Sequence, residues 1–148
     1  MVSILKANAP LIAAAILSVL LTVGVLTFAG PCIHEDGTHG ACFAASQAIL
    51  ASAFVALVAS VVGVVLGNAR VRGILSFVAG GAGLFAAASP GLLFPLCMMQ
   101  TMRCWAIMRP FALIVGILIT ICGVVAAVRV LSGKTARQST RRKAGQAR

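Results

Sequence analysis

The chain has 148 residues, of which 61% are hydrophobic and 9% are charged, and its formal net charge at pH 7 is +10. A soluble domain has about 25% charged residues, so this composition excludes an ordinary soluble domain and indicates a membrane protein of one compact unit. The basic residues cluster outside the apolar runs, so the charge marks the ends of membrane spans and we expect no nucleic-acid partner.

Four apolar runs are long enough for a helix that crosses the hydrocarbon core, which takes about 20 residues. In chain order they are Pro10–Ala29, Phe43–Leu66, Ile74–Phe94 and Pro110–Leu131. Asn8 and Pro10 are typical of the start of the first helix, and its apolar part is longer than a signal-peptide core, so we expect it to be kept as a span. Strands are usually far shorter, so the expected fold class is all-α with four transmembrane helices.

Basic residues near the ends of the runs predict the orientation. Lys6 precedes the first run, two arginines separate the second from the third, and seven basic residues fall from Arg129 onward. We therefore expect both termini on the cytoplasmic side of an inner or plasma membrane. Residues 1–131 would form the transmembrane domain, and residues 132–148 a disordered basic tail held near anionic lipid headgroups.

The four runs divide into two helical hairpins, residues 8–66 and 74–131, whose outer connections resemble each other. Each connection has a proline shortly before its first cysteine, and an aromatic residue and an alanine after its second. This similarity indicates an internal duplication, with parallel repeats about an axis along the membrane normal.

Small residues recur every four positions on the second and third helices. Such stripes let helix backbones approach closely in a membrane. We therefore expect these two helices to make the central contact, although the stripes could instead bind another subunit. The candidate packing residues are Ala44, Ala48, Ser52, Ala56, Ser60, Ala79, Gly83, Ala87 and Gly91.

Four of the five cysteines are expected in the outer connections, in a compartment that permits disulfides. The simplest pairing joins Cys32 to Cys42 and Cys97 to Cys104, but four cysteines allow three connectivities. Cys122 falls inside the fourth span. Loops locked by disulfides favour a non-enzymatic accessory or scaffold protein over an enzyme, with helix faces available to a membrane partner or a second copy.

The second connection also holds soft metal ligands. Thiolate and thioether donors favour Cu(I), and six of them fall within twelve positions: Cys97, Met98, Met99, Met102, Cys104 and Met108. In the first connection, His34 and His39 could complete a copper or zinc site. No C-x-x-C spacing typical of strong zinc sites is present in the sequence. A soft-metal protein, with copper as its ion, is therefore the alternative hypothesis.

Two outer cysteine pairs on four spans are also the layout of quinone-linked disulfide-forming membrane enzymes. That chemistry needs a reactive thiolate, often in a C-x-x-C motif. Here nine and six residues separate the cysteines of the two pairs. A thiol–disulfide oxidoreductase is therefore the third hypothesis.

Each connection contains a recognisable order of residues. The first has a cysteine, then Asp-Gly, then a second cysteine and a downstream Gln-Ala. The second has Cys-Met, then Thr-Met, then a cysteine and a later proline. The residues are Cys32, Asp36–Gly37, Cys42, Gln47–Ala48, Cys97–Met98, Thr101–Met102, Cys104 and Pro110. In these motifs the chain resembles a family of small bacterial four-helix membrane proteins, a domain of unknown function.

The family has Met-Lys before the second cysteine and His after it, where this chain has Gly40, Ala41 and Phe43. This departure implies a weaker metal site in the first connection. The family's similarity to accessory components near ABC-type permeases implies a subunit of a transporter complex and no particular activity.

Overall fold

The computed structural model describes residues 2–28, 42–66, 68–94 and 104–146, with side chains over 8–28, 43–66, 68–94 and 105–132. It contains the helices α1 (Val2–Thr27), α2 (Cys42–Val65), α3 (Ala69–Ala88) and α4 (Arg109–Gln146), with a π-helical turn, Cys104–Met108, directly before α4. No β-strand occurs within these ranges. The all-α prediction is therefore confirmed.

Each helix, the fourth together with the π turn before it, provides a stretch that is long and apolar enough to cross a bilayer. The mean hydropathies are 2.5 for Asn8–Thr27, 2.6 for Phe43–Val65, 1.6 for Ala69–Ala88 and 2.9 for Trp105–Ser132. Large apolar side chains also cover the outer faces of the bundle, where lipid replaces water as the solvent. The prediction of four membrane spans is confirmed, and the chain is a multi-pass membrane protein.

The helices form an antiparallel ring in which each contacts the next and α1 closes the ring against α4. The start of α1, the end of α2 and the start of α3 therefore lie at one end of the bundle. We call this the basic end, because Arg70, Arg72 and Arg129 lie there. The opposite end carries Phe28 and Phe111, whose rings meet edge to face.

Side chains from all four helices fill the centre of the bundle. Leu21 and Val25 of α1, Ile49 of α2 and Ile119 of α4 belong to one contiguous cluster, and none is more than 1% exposed. The smaller spaces are filled by Ala45, Ala53, Ala56, Ala86, Met108, Ala112 and Val115. This cluster is therefore packed and apolar, whereas other buried positions of the bundle are polar, among them Asn8, Ser18 and Ser60.

The first helix begins earlier than predicted. It starts at Val2 and contains both Asn8 and Pro10, so the prediction that these residues mark its start is wrong. The apolar run is interrupted by Lys6 and Asn8, but the helical backbone continues through them. Hydropathy therefore could not place this boundary.

The third helix is shifted toward the N-terminus relative to the predicted Ile74–Phe94. Asn68 caps its start, because its Oδ1 accepts a hydrogen bond from the backbone N–H of Arg70 at 3.1 Å. The helix ends before Pro90, which has no N–H to donate, and Gly91 adopts a φ of 93° that favours glycine. Residues 89–94 therefore form a turn, although they are apolar enough to have been counted in the span.

The fourth helix continues to Gln146. Its backbone thus includes most of the segment for which the sequence predicts disorder, and no proline follows Pro110 to interrupt it. The division of the chain into a membrane domain and a tail stays a prediction, as does the duplication of the hairpins.

Candidate functional site

The cysteine-containing connections are the candidate site suggested by the sequence, and most of their residues lie outside the described ranges. These residues are Cys32, His34, His39, Cys97, Met98, Met99 and Met102. The backbone of Cys42 begins α2, and that of Cys104 begins the π turn. The structure therefore describes the helix ends that carry the site.

Both connections are attached to the same end of the bundle. The first leaves α1 after Phe28, whose ring centroid lies 5.1 Å from that of Phe111 near the start of α4, with an angle of 72° between the ring planes. The second leaves the turn at Phe94, which packs against the central cluster. Aromatic packing thus joins the attachment points of both connections to the packed bundle.

The close packing of Phe111 depends on a glycine in α1. A methyl group at Gly24 would overlap the Phe111 ring and would also approach Cζ of Phe28 to 3.3 Å. The ring can therefore lie over α1 only because position 24 has no side chain. This contact links the end of α1 to the start of α4.

The π-helical turn fits the chain around Pro110. A proline cannot donate to the carbonyl four residues before it, and a π turn offers a wider backbone geometry at such a point. Cζ of Arg109, the first residue of α4, lies 4.4 Å from the centroid of the Trp105 ring in the turn, a cation–π geometry. Arg109 and Trp105 thus fix the helix just after the second connection.

Met108 belongs to the core rather than to the set of soft ligands. It is fully buried in the central cluster, so its thioether fills space between helices. The other five soft donors of this segment lie outside the described side chains. Within the described residues, no three His, Cys, Asp or Glu side chains are grouped to hold a metal ion. Cys122 is half-buried as a free thiol within α4.

The small-residue stripe on α2 does not lie on one face. Ala44 is exposed and Ala48 half-buried, whereas Ser52, Ala56 and Ser60 are buried. Four residues turn an α-helix by about 400°, which is about 40° more than a full turn. Over sixteen residues the stripe therefore rotates by about 160° and passes from the outer face into the bundle.

The stripe on α3 packs against α4. Gly83 packs directly against Ile119 and Gly116 of α4, and Ala87 packs against Gly116. Ala79 is fully buried, whereas Gly91 is exposed in the turn beyond the helix. The second and third helices do contact each other, but the most extensive contact is between α3 and α4.

The two backbones come closest along this contact, which we call the glycine seam and define by Gly80, Gly83, Gly116, Thr120 and Gly123. A methyl group at Gly123 would lie 2.7 Å from Cα of Gly80. One at Gly116 would lie 2.7 Å from the carbonyl oxygen of Gly83. Glycine is therefore required at both positions of α4 for the helices to approach this far.

A hydroxyl group joins the two helices across the seam. Oγ1 of Thr120 lies 2.9 Å from the Gly116 carbonyl oxygen in its own helix and 3.2 Å from that of Gly80 in α3. Lipid offers no competing hydrogen-bond partner, so this polar contact is compatible with the membrane interior.

The seam residues of α4 were missed in the sequence. Gly116 and Gly123 are seven residues apart, which is about two helical turns and places them on one face. Each also has an alanine four positions away, Ala112 and Ala127, but these rows of small residues are shorter than the stripes of α2 and α3.

Comparisons with known proteins identify the chain at the level of a family. No curated protein and no solved structure gives a significant match. A family model, described as "Domain of unknown function (DUF4418)", matches residues 14–129. This match runs from α1 to the end of the fourth span and covers well over half of the chain. The protein therefore belongs to the DUF4418 family.

Proposed function

We propose that this protein is a non-enzymatic accessory or scaffold subunit of a membrane transporter complex. The observation that carries the proposal is the packed apolar centre, to which all four helices contribute their inner faces. In this proposal the bundle acts through its outer faces and its connections. The outer faces are apolar, so they suit lipid or another membrane-embedded subunit.

In this proposal both termini are cytoplasmic, in an inner or plasma membrane. The support is the grouping of Arg70, Arg72 and Arg129 at the end where α1 begins, because basic residues are retained on the cytoplasmic side. The connections that contain the cysteines then project from the opposite face of the membrane.

Disulfides within the two connections would further constrain the chain between these helix ends. The helix ends are already held together by the Phe28–Phe111 pair. A disulfide that closes a loop of about 15 residues contributes about 3 kcal/mol in the chain-entropy model, and these shorter loops should gain somewhat less. A fixed outer surface of this kind suits recognition of a partner.

A photo-crosslinking experiment tests the proposal. A photoreactive amino acid is placed in the full chain at one exposed apolar position on each helix, in native membranes: Ile16, Phe54, Leu84 and Ile121. We expect one or two neighbouring faces to cross-link to a transporter subunit, identified by mass spectrometry. Fully buried Leu21 is the matched control, because its large side chain already fills the space that a photoreactive residue would take, and it should give no intermolecular product.

Two outcomes would count against an accessory role. One is equal, protein-free labelling of all four faces, which is the pattern of a bundle surrounded only by lipid. The other is a clean monomer after extraction in a mild detergent, with no co-purifying subunit.

A soft-metal protein is the second candidate. The attachment of both connections to one end of the bundle favours it, because donors from the two connections can then approach each other. The proposed ligands are Cys97, Met98, Met99, Met102 and Cys104, with His34 or His39.

A thiol–disulfide oxidoreductase is the third candidate. It predicts quinone- or partner-dependent turnover of one cysteine pair. Unchanged turnover in Cys104→Ser would eliminate a role for the second pair.

A further inference from the structure

A groove runs between α3 and α4 at the basic end, on the outer surface of the bundle. It encloses about 350 Å³, and its lining is almost wholly apolar. The lining residues include Arg70, Gly73 and Phe77 of α3, and Ala127, Val130 and Leu131 of α4. The groove is separate from the outer connections, because Arg70 and Leu131 lie at the other end of the bundle.

A glycine creates the space. Gly73 has no side chain, and a methyl group added there would meet only Cγ1 of Val130, at 3.6 Å. This is an ordinary contact distance, so the groove is open beside Gly73 and the helices do not need glycine there in order to pack.

The groove is basic at its mouth and apolar along its length. Arg70 lies in the first turn of α3, held there by the Asn68 cap. Phe77 lies seven residues further along, which is about 10 Å deeper in the membrane. Arg70 is exposed, and Phe77 is 65% exposed. The occupant therefore needs an anionic group at the membrane surface and an apolar part that extends inward.

The shape of the groove favours a lipid over a protein partner. The groove is small and open to the outer surface, with about 350 Å³ of space. A membrane-spanning helix is about 10–12 Å wide with its side chains, so it would cover the groove without filling it. A single extended hydrocarbon chain is narrower than a helix and can lie along the groove.

The charge at the mouth of the groove selects the headgroup. Arg70 lines the groove, and both acidic residues of the sequence, Glu35 and Asp36, belong to the first connection, which is attached to the opposite end of the bundle. Basic pockets between membrane helices bind anionic headgroups. Free phosphate would use Arg70 but would gain nothing from Phe77 and Val130.

We propose that this groove binds an anionic phospholipid, with its phosphate at Arg70 and one acyl chain along Phe77 and Val130. The lipid would cover the α3–α4 contact below the glycine seam, in the leaflet at the basic end. This site is distinct from any diffuse attraction of the basic segment after Ser132 to the membrane surface.

Native mass spectrometry of the purified full chain tests the site. Phosphatidylglycerol and phosphatidylcholine with the same acyl chains are titrated in a mild detergent. We expect one phosphatidylglycerol to be retained in preference to phosphatidylcholine, and excess inorganic phosphate not to displace it. Arg70→Gln should weaken this preference about fivefold, as expected for one basic residue at a membrane surface. Arg109→Gln, which removes one charge at the opposite end, should leave the preference unchanged.

A second pair of variants tests the acyl-chain part of the groove without changing charge. Gly73→Leu fills the groove and should lower retention of both lipids. Gly81→Leu is the matched control in the same helix, because Gly81 is exposed and no described atom would lie within 4 Å of an added methyl group. Phe77→Ala, at an exposed position, gives an independent test if Gly73→Leu does not fold.

The groove variants are Gly73→Leu and Phe77→Ala. The proposal is overturned if every one of them that folds retains as much phosphatidylglycerol as the wild type. It is also overturned if Arg70→Gln and Arg109→Gln reduce the preference equally, since attraction would then depend on total charge. Displacement of the lipid by inorganic phosphate would likewise overturn it, because the acyl chain would then contribute nothing.

Discussion

Replacing Gly123 by alanine is the sharpest test of the glycine seam. The added methyl group would lie 2.7 Å from both Cα and N of Gly80 and 2.8 Å from the carbonyl oxygen of Ser76. All three are backbone atoms, so no side chain can rotate away. Ordinary carbon contacts begin at about 3.5 Å, so the helices would have to separate by about 0.8 Å.

The expected effect on stability follows from two opposing terms. Overpacking of this kind costs about 1–3 kcal/mol, and separation also stretches the Thr120–Gly80 hydrogen bond of 3.2 Å. Alanine favours the helical backbone over glycine by about 0.5–1 kcal/mol. We therefore expect Gly123→Ala to lower the free energy of unfolding by about 1–2 kcal/mol, a factor of about 5–30 in the ratio of folded to unfolded protein.

The assay is reversible unfolding in mixed micelles by sodium dodecyl sulfate, followed by circular dichroism and by the fluorescence of Trp105, the single tryptophan. Two glycines in α3 serve as controls. A methyl group at Gly80 would make only ordinary contacts, the nearest at 3.6 Å, and one at Gly81 would meet no described atom within 4 Å. Both alanine variants should be as stable as the wild type or slightly more stable.

The comparison among these variants decides whether the reasoning holds. If Gly123→Ala is as stable as Gly81→Ala, the two backbones do not touch as described. If Gly80→Ala is destabilised as much as Gly123→Ala, the seam is tight on both sides and the asymmetry derived from the distances is wrong.

Three further predictions concern the end of the bundle that carries Phe28, Phe111 and the two connections. Gly24→Ala should destabilise the protein by displacing the Phe111 ring, and Phe111→Leu should restore part of the loss; additive effects in the same unfolding assay would contradict this contact. Nonreducing mass mapping of native membranes should find a bridge within each connection, whereas four free thiols in oxidised membranes would contradict the pairs Cys32–Cys42 and Cys97–Cys104. If the protein handles metal, the purified reduced chain should retain copper stoichiometrically. If the joint replacement of Met98, Met99 and Met102 leaves copper retention unchanged, these three methionines are not ligands.

Much of the fold could be predicted because membrane insertion depends on local properties. The number of spans follows from the length and apolarity of each segment, and these are visible in the sequence. The ends of the helices were less predictable, because apolar residues such as Leu92 and Leu93 are compatible with either a span or a turn. Pro90 and the left-handed Gly91 decide that α3 ends there.

The candidate site was predictable in part. The sequence indicated two cysteine-containing connections, and the structure attaches both to one end of the bundle. Met108 was grouped with the soft ligands because of its position in the sequence, but its side chain lies in the core. Spacing along the chain cannot distinguish these roles, since a helix begins within the segment and turns this side chain inward.

The sequence by itself determined that the chain has four segments able to cross a membrane and that most of its basic residues lie next to the same ends of these segments. Only the tertiary structure decided which faces meet. Lipid tails and leucine side chains are equally apolar, so hydropathy does not distinguish a face that packs on protein from one that contacts lipid. The closest contact formed where Gly116 and Gly123 of α4 could meet glycines of α3, because close packing in a membrane is decided by shape.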